Sequence, residues 1–110
     1  MDMKTSKQGN VTTLSVKGRI DAVTAPDFEK FLGNLMAQGE INILLDFKEL
    51  EYISSAGLRS VLSAAKQLKA GGGKMIFAEL QGSVKDVFKI SGFGSIFKIY
   101  DTVGEDLTQF

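Results

Sequence analysis

Apolar and polar residues alternate near the start of the chain and then gather into longer apolar runs. Gly9-Asn10 has the composition of a two-residue hairpin turn, with an edge strand before it and a strand from Val11 to Ile20 after it. In that second strand apolar residues alternate with Thr, Ser, Lys and Arg, which predicts a half-buried strand. Gly18 interrupts the alternation and is the candidate position for a β-bulge.

A first helix is predicted between Thr24 and Gly39, because apolar residues recur there at three- and four-residue spacings. Thr24 and Asp27 have the spacing of a capping box at its start. Pro26 suits the first turn, in which its missing N–H costs nothing.

The rest of the chain alternates strands with helices. The nearly continuous apolar run from Ile41 to Phe47 is typical of a covered central strand, and Asp46 interrupts it near its end. The later predicted elements are a helix from the Ser54-Ser55 pair to the glycines at 71–73, a strand from Lys74 to Leu80, a helix capped by Ser83 and ended by Gly92, a strand from Ile96 to Tyr100, and a terminal helix capped by Thr102 with Glu105.

This order, β-β-α-β-α-β-α-β-α, predicts one α/β domain spanning residues 1–110. We expect an α/β sandwich with a mixed, mostly parallel sheet of four to five strands, about four helices and an N-terminal antiparallel hairpin. Sites in such sheets collect at the carboxyl ends of strands. Asp21, Asp46 and the Ser54-Ser55 pair all follow or end predicted strands, so they are candidates for one site.

The charge balance narrows the range of partners. Thirteen basic residues offset thirteen acidic ones, so no overall field favours nucleic acid or an anionic membrane. The apolar runs are too short to cross a bilayer, and the first ten residues lack the apolar core of a secretion signal. We therefore expect a cytoplasmic protein that binds neither nucleic acid nor membrane.

The chain has no cysteine and no histidine. The first absence excludes thiolate nucleophiles and thiolate-bound metals, and the second removes the commonest general base and the commonest metal ligand. We accordingly expect no enzyme activity, no catalytic residue, no metal site and no cofactor.

The small residues from Ser54 to Gly57 form an unusual junction between a strand and a helix. A hydrolase nucleophile would need a glycine where Ile53 stands and a histidine to accept its proton, so that interpretation fails. Two interpretations stay open for Ser54 and Ser55, namely a helix N-cap and a phosphorylation site. A phosphate there would meet free N–H groups and the positive end of a helix dipole, on a bare surface that a partner's backbone could approach.

The same junction carries a resemblance to a known family. The segment from Asp46 to Leu58, DFKELEYISSAGL, resembles the phosphorylated signature of STAS domains of the anti-sigma factor antagonist type. Gly18-Arg19-Ile20-Asp21 resembles the family's Gly-x-(Leu/Ile)-Asp at the end of its second strand, and the tail from Phe88 to Leu107 resembles its closing strand and helix. The likeness extends over nearly the whole chain.

The resemblance implies a bacterial partner-switching module that acts in the control of transcription. In such systems the unphosphorylated antagonist binds an anti-sigma factor, itself a serine kinase, and so frees a sigma factor. The kinase then phosphorylates the antagonist and ends the interaction, and a PP2C-type phosphatase restores it. The phosphorylated serine carries over to Ser55, and Asp21 matches a position beside it. Ser54 stands where the family often has aspartate, which makes Ser54 the second candidate acceptor.

We expect a partner to dock on the junction, on the exposed start of the helix after it, and on the turn that follows the second strand. The candidate contact residues are Asp21, Thr24, Ser54, Ala56, Gly57, Arg59, Ser60 and Ser63. The alternative function is a STAS scaffold or a soluble transporter-associated subunit that binds its partner constitutively. In either case we expect a monomer or a weak dimer.

Overall fold

The computed structural model describes residues 1–103. Its regular elements are β1 (Asp2–Gln8), β2 (Val11–Ile20), α1 (Ala25–Ala37), β3 (Asn42–Asp46), β4 (Leu50–Ile53), α2 (Ser55–Ala70), β5 (Lys74–Ala78), α3 (Gly82–Ser91) and β6 (Lys98–Tyr100), with a 3-10 turn at Phe93–Ser95. This confirms the predicted α/β class and the N-terminal hairpin, whose strands flank Gly9-Asn10.

The sheet is mixed and mostly parallel, as predicted. Its strands lie in the order β1-β2-β3-β5-β6, and β4 pairs with β2 away from this path. Only the β1–β2 pair is antiparallel among the strand pairs within residues 1–103. Strand β2 divides its pairing, because residues 12–15 pair with β3 whereas residues 18–20 pair with β4.

The three helices pack on one face of this sheet. Each parallel crossover continues in the same direction along the sheet order, so right-handed connections put every crossover helix on the same side. The core there joins side chains of all three helices to β2, β3 and β5, including Phe28, Val61, Phe77 and Phe88. A smaller apolar cluster that contains Leu44 and Ile76 lies on the other face.

Strand β4 was missed by the sequence prediction, which expected four to five strands where the sheet has six. The register between β2 and β4 jumps at Gly18, the position expected for a bulge, and Glu51 is the extra residue on β4. As a result the two buried side chains of β4, Leu50 and Ile53, are three residues apart. The strand therefore shows no alternation of period two that the sequence could reveal.

Two predicted helix caps are wrong. Thr24 precedes α1, but its hydroxyl makes no cap bond; it donates to the carbonyl oxygen of Arg19 at 2.8 Å instead. Ser83 lies inside α3, and its hydroxyl donates to the carbonyl oxygen of Glu51 at 3.2 Å. The prediction for Gly92 is confirmed, since it ends α3 in the left-handed region with φ +78°.

The predicted terminal helix, with its Thr102–Glu105 cap, lies outside the described residues. Residues 1–103 contain three α-helices. Within that range no helix combines the length and the apolar character that crossing a membrane would require.

Candidate functional site

The ends of β2 and β4 bring Asp21 and the junction together. Ile20 and Ile53, the last residues of these strands, are direct partners in the parallel ladder. The backbone N–H of Ser54 continues the ladder and donates to the carbonyl oxygen of Ile20 at 2.9 Å. Asp21 and Ser54 are thus the first residues beyond two paired strands, at one edge of the sheet.

Ser54 is the N-cap of α2. Its backbone is extended, with φ −90° and ψ 175°, and its side-chain oxygen accepts a hydrogen bond from the N–H of Gly57 at 3.1 Å. Its carbonyl oxygen accepts the first helical bond, from the N–H of Leu58 at 2.8 Å. The half-buried hydroxyl of Ser54 is therefore committed to holding the start of the helix.

Ser55 has different surroundings, although it is the next residue. It is the first residue of α2 and is exposed. Its hydroxyl makes no hydrogen bond within residues 1–103. No acidic residue occupies the first turn of α2. An accessible, uncommitted hydroxyl thus stands at a helix N-terminus whose partial positive charge is uncompensated within that turn.

Gly57 is buried, so the prediction that it forms part of an open docking surface is wrong. A β-carbon at this position would lie 2.6 Å from the carbonyl oxygen of Ile20 and 2.8 Å from Cγ1 of Ile53. The backbone that approaches Gly57 closely is therefore that of its own β2. The glycine is needed because α2 begins directly on top of the β2–β4 pair.

Asp21 closes the turn between β2 and α1. Its Oδ1 accepts hydrogen bonds from the backbone N–H of Val23 at 3.0 Å and of Thr24 at 3.1 Å. These bonds, foremost the one from the Thr24 N–H, lower the pKa of the Asp21 carboxyl below its ordinary value, and Arg19 acts in the same direction. Asp21 therefore carries a full negative charge at neutral pH.

Arg19 and Tyr52 belong to the same surface, and the sequence prediction missed both. The guanidinium carbon of Arg19 lies 4.3 Å from the centroid of the Tyr52 ring, and its Nε lies 3.6 Å from Oδ2 of Asp21. Val23, which is 84% exposed, stands at the tip of the turn. The pairing of Arg19 with Tyr52 follows from the β2–β4 register, and no local pattern in the sequence reveals it.

The start of α2 is only partly exposed. Arg59 and Ser63 are exposed, as expected for docking residues. Ser60 is buried, with 5% of its surface accessible, which contradicts its predicted place on the docking surface. It follows Gly57 by three residues and precedes Ala64 by four, so helical periodicity puts all three on the buried stripe.

Asp46 does not join the site. It pairs with Ser15, five residues before Ile20, which corresponds to about 16 Å along β2. Its carboxylate accepts hydrogen bonds from the Ser15 hydroxyl at 3.3 Å and from the Lys48 N–H at 3.0 Å. The sequence predicted that three strand ends would lie together. Only the ends of β2 and β4 do so, because β2 continues beyond β3 to pair with β4.

We use the term junction surface for the exposed and half-buried residues around these two strand ends. They are Arg19, Asp21, Val23, Thr24, Tyr52, Ser54, Ser55, Ala56, Arg59 and Ser63. Across residues 1–103, no group of three or more acidic side chains is placed to hold a metal ion.

The fold is an α/β sandwich with an antiparallel N-terminal hairpin, and two serines follow the end of β4. These two features together are those of the domain family whose signature the sequence resembles. The sequence model of the STAS domain family matches residues 2–106. The chain belongs to the STAS family.

The relatives are regulators by name. BtrV of Bordetella bronchiseptica, whose name assigns it provisionally to the anti-sigma factor antagonists, is 38% identical over 99 residues, covering 90% of this chain and 85% of BtrV. A crystal structure of an anti-sigma factor antagonist from Mycobacterium paratuberculosis matches this chain with a TM-score of 0.88 at 23% identity. The match covers 98% of this chain and 92% of the Mycobacterium chain. The Bacillus cell fate determinant SpoIIAA, in its phosphorylated form, has a TM-score of 0.75 at 20% identity, covering 98% of each chain.

Proposed function

We propose that this chain is an anti-sigma factor antagonist that binds an anti-sigma factor through the junction surface and is released when Ser55 is phosphorylated. The observation that supports the proposal most directly is the exposed, unbonded hydroxyl of Ser55 at the N-terminus of α2, close to Asp21. The names of the relatives support the class of partner, and the phosphorylated form of SpoIIAA supports the kind of modification.

The different surroundings of the two serines favour Ser55 as the acceptor. Phosphorylation of Ser54 would have to place the phosphate on a half-buried oxygen that already accepts the N–H of Gly57. Phosphorylation of Ser55 breaks no hydrogen bond within residues 1–103 and adds its group on the outer side of the helix. A kinase can therefore modify Ser55 without disturbing the fold.

Charge explains how a phosphate would end the interaction. It adds roughly −1.5 to −2 charges at neutral pH. The start of α2 tolerates this charge because the free N–H groups and the helix dipole favour an anion. Asp21 stays ionised, so the junction surface, on which two arginines outnumber one aspartate before phosphorylation, changes from net positive to net negative. A partner that fits the unmodified surface is then repelled while the domain keeps its shape.

The proposed partners follow from this cycle. The anti-sigma factor acts as the serine kinase and uses ATP, and a PP2C-type phosphatase removes the phosphate. Both reactions belong in the cytoplasm of a bacterium, where the sigma factor acts.

Phosphorylation by the cognate kinase tests the proposal. The protein is incubated with the kinase and ATP, and mass spectrometry locates the phosphate in the tryptic peptide of residues 49–59, which contains both serines. We expect one phosphate, on Ser55, which Ser55→Ala abolishes and the matched control Ser54→Ala retains. A phosphate on Ser54 alone would overturn the site. If the protein binds the anti-sigma factor but is never phosphorylated, it is a constitutive scaffold instead.

A further inference from the structure

Arg59 lies about one helical turn after Ser55 in α2. The two residues are four positions apart in the same helix, and both are exposed. Residues at this spacing are neighbours on a helix surface, with about 5–6 Å between their β-carbons. Helical side chains lean toward the helix N-terminus, so the long side chain of Arg59 can reach a group on Ser55.

Arg59 is also uncommitted. Its guanidinium makes no hydrogen bond, ion pair or ring contact within residues 1–103. The thirteen basic residues comprise eleven lysines and two arginines, and both arginines lie on the junction surface. The other one, Arg19, is already engaged by the ring of Tyr52 and the carboxylate of Asp21.

We infer that Arg59 is the intramolecular ligand of a phosphate on Ser55; this inference rests on the proposed function. The planar guanidinium can donate two parallel hydrogen bonds to phosphate oxygens, which the compact ammonium of lysine cannot reproduce. The order also suits the helix, since an acidic group N-terminal to a basic one at this spacing is the favourable arrangement. Phosphorylation then adds an anion to the junction surface and withdraws a cation from it in one step.

The test installs phosphoserine at position 55 during translation, so that it needs neither a kinase nor a partner. The ionisation of the phosphate is followed by ³¹P NMR as a function of pH, at low ionic strength. A neighbouring guanidinium favours the dianion and therefore lowers the pKa of the phosphate. In Arg59→Gln we expect the titration midpoint to rise by a few tenths of a pH unit, the size expected for an exposed ion pair.

Three comparisons keep the test specific. Arg19→Gln is the matched control, and it should leave the midpoint nearly unchanged because Arg19 has its own partners. Arg59→Lys should restore part of the shift, and about 0.5 M salt should reduce the difference between Arg59→Gln and the parent. Unmodified Arg59→Gln should melt within a degree or two of the parent, since the replaced side chain is exposed and unbonded.

An unchanged midpoint in Arg59→Gln would overturn the inference, and so would a larger shift in Arg19→Gln than in Arg59→Gln. Failure of the proposed function would appear elsewhere, as the absence of kinase-dependent phosphate on Ser55.

Discussion

Helices α1 and α2 begin side by side at one edge of the sheet, yet their N-termini are organised in opposite ways. The start of α1 carries its own anions, because Asp21 accepts hydrogen bonds from the turn before it and Asp27 occupies the first turn. The start of α2 has a neutral cap from Ser54 and no acid in its first turn. One helix terminus is already electrostatically satisfied, whereas its neighbour is left open to an added negative group.

The largest expected effect concerns the contact that fixes α2 against β2. Gly57→Ala should lower the free energy of unfolding by about 3 kcal/mol, since the new methyl group would overlap the carbonyl oxygen of Ile20. Gly33→Ala in α1 is the matched control, because a β-carbon there meets no atom within 4 Å. It should stabilise the protein by up to about 1 kcal/mol. Denaturant unfolding measures both, and equal stabilities would contradict the packing described for Gly57.

The next prediction concerns the N-terminus of α2 as a docking surface that is sensitive to charge. Ser55→Asp should weaken the complex with the anti-sigma factor about tenfold, or about 1.4 kcal/mol, because it adds a fixed negative charge there. Ser55→Ala should bind within about threefold of the parent, since it changes no charge. Ser6→Asp, on the exposed edge strand β1, controls for net charge. Calorimetric titration gives the affinities, and identical values for the two Ser55 variants would refute the charge mechanism.

A smaller effect distinguishes the two serines by stability alone. Ser54→Ala should cost about 1 kcal/mol, because the N–H of Gly57 loses its cap. Ser55→Ala should change stability by less than about 0.5 kcal/mol, since its hydroxyl is exposed and unbonded. Thermal melts of the two variants would show the difference. If Ser55→Ala were the less stable variant, Ser55 rather than Ser54 would be the N-cap of α2.

The smallest effect concerns the anionic terminus of α1 and its pH dependence. The pKa of Asp21 is lower in the folded protein than its ordinary value of 3.8, chiefly through the Thr24 N–H. The carboxylate therefore adds stability above about pH 4, and this stability is lost as the pH falls through the lower folded pKa. Asp21→Asn should be less stable than the parent at pH 7, and the difference in stability should shrink as the pH falls below about 4. If the difference in stability between Asp21→Asn and the parent did not change with pH, the ionised carboxylate would not be the cause of that difference.

Local patterns predicted what local chemistry decides. The hairpin turn at Gly9-Asn10 and the left-handed end of α3 at Gly92 are properties of a few consecutive residues, and the structure confirms both. Features that depend on how distant segments meet escaped prediction. Strand β4 lacks alternation because of its extra residue, and the hydroxyl of Ser83 bonds to Glu51, 32 residues earlier, instead of capping its own helix.

The candidate site shows the same division. The helix cap follows from the Ser54-Ser55 pair, although the sequence left open which serine provides it. The burial of Gly57 and Ser60 depends on which side of α2 meets β2, and the position of Asp46 depends on the length of β2 beyond β3. Ser55 as the acceptor of a phosphate stays a prediction.

The pairing of Ile20 with Ile53 has a consequence for what an isolated piece of this protein could do. These residues are 33 positions apart, and between them they supply the seat of α2 and the acceptor for the Ser54 N–H. A synthetic peptide of residues 49–59 would contain both serines and Arg59 but neither that seat nor Asp21. The epitope around Ser55 is conformational rather than linear. Antibodies raised against the peptide, or inhibitors selected with it, would therefore encounter a differently shaped surface in the folded chain.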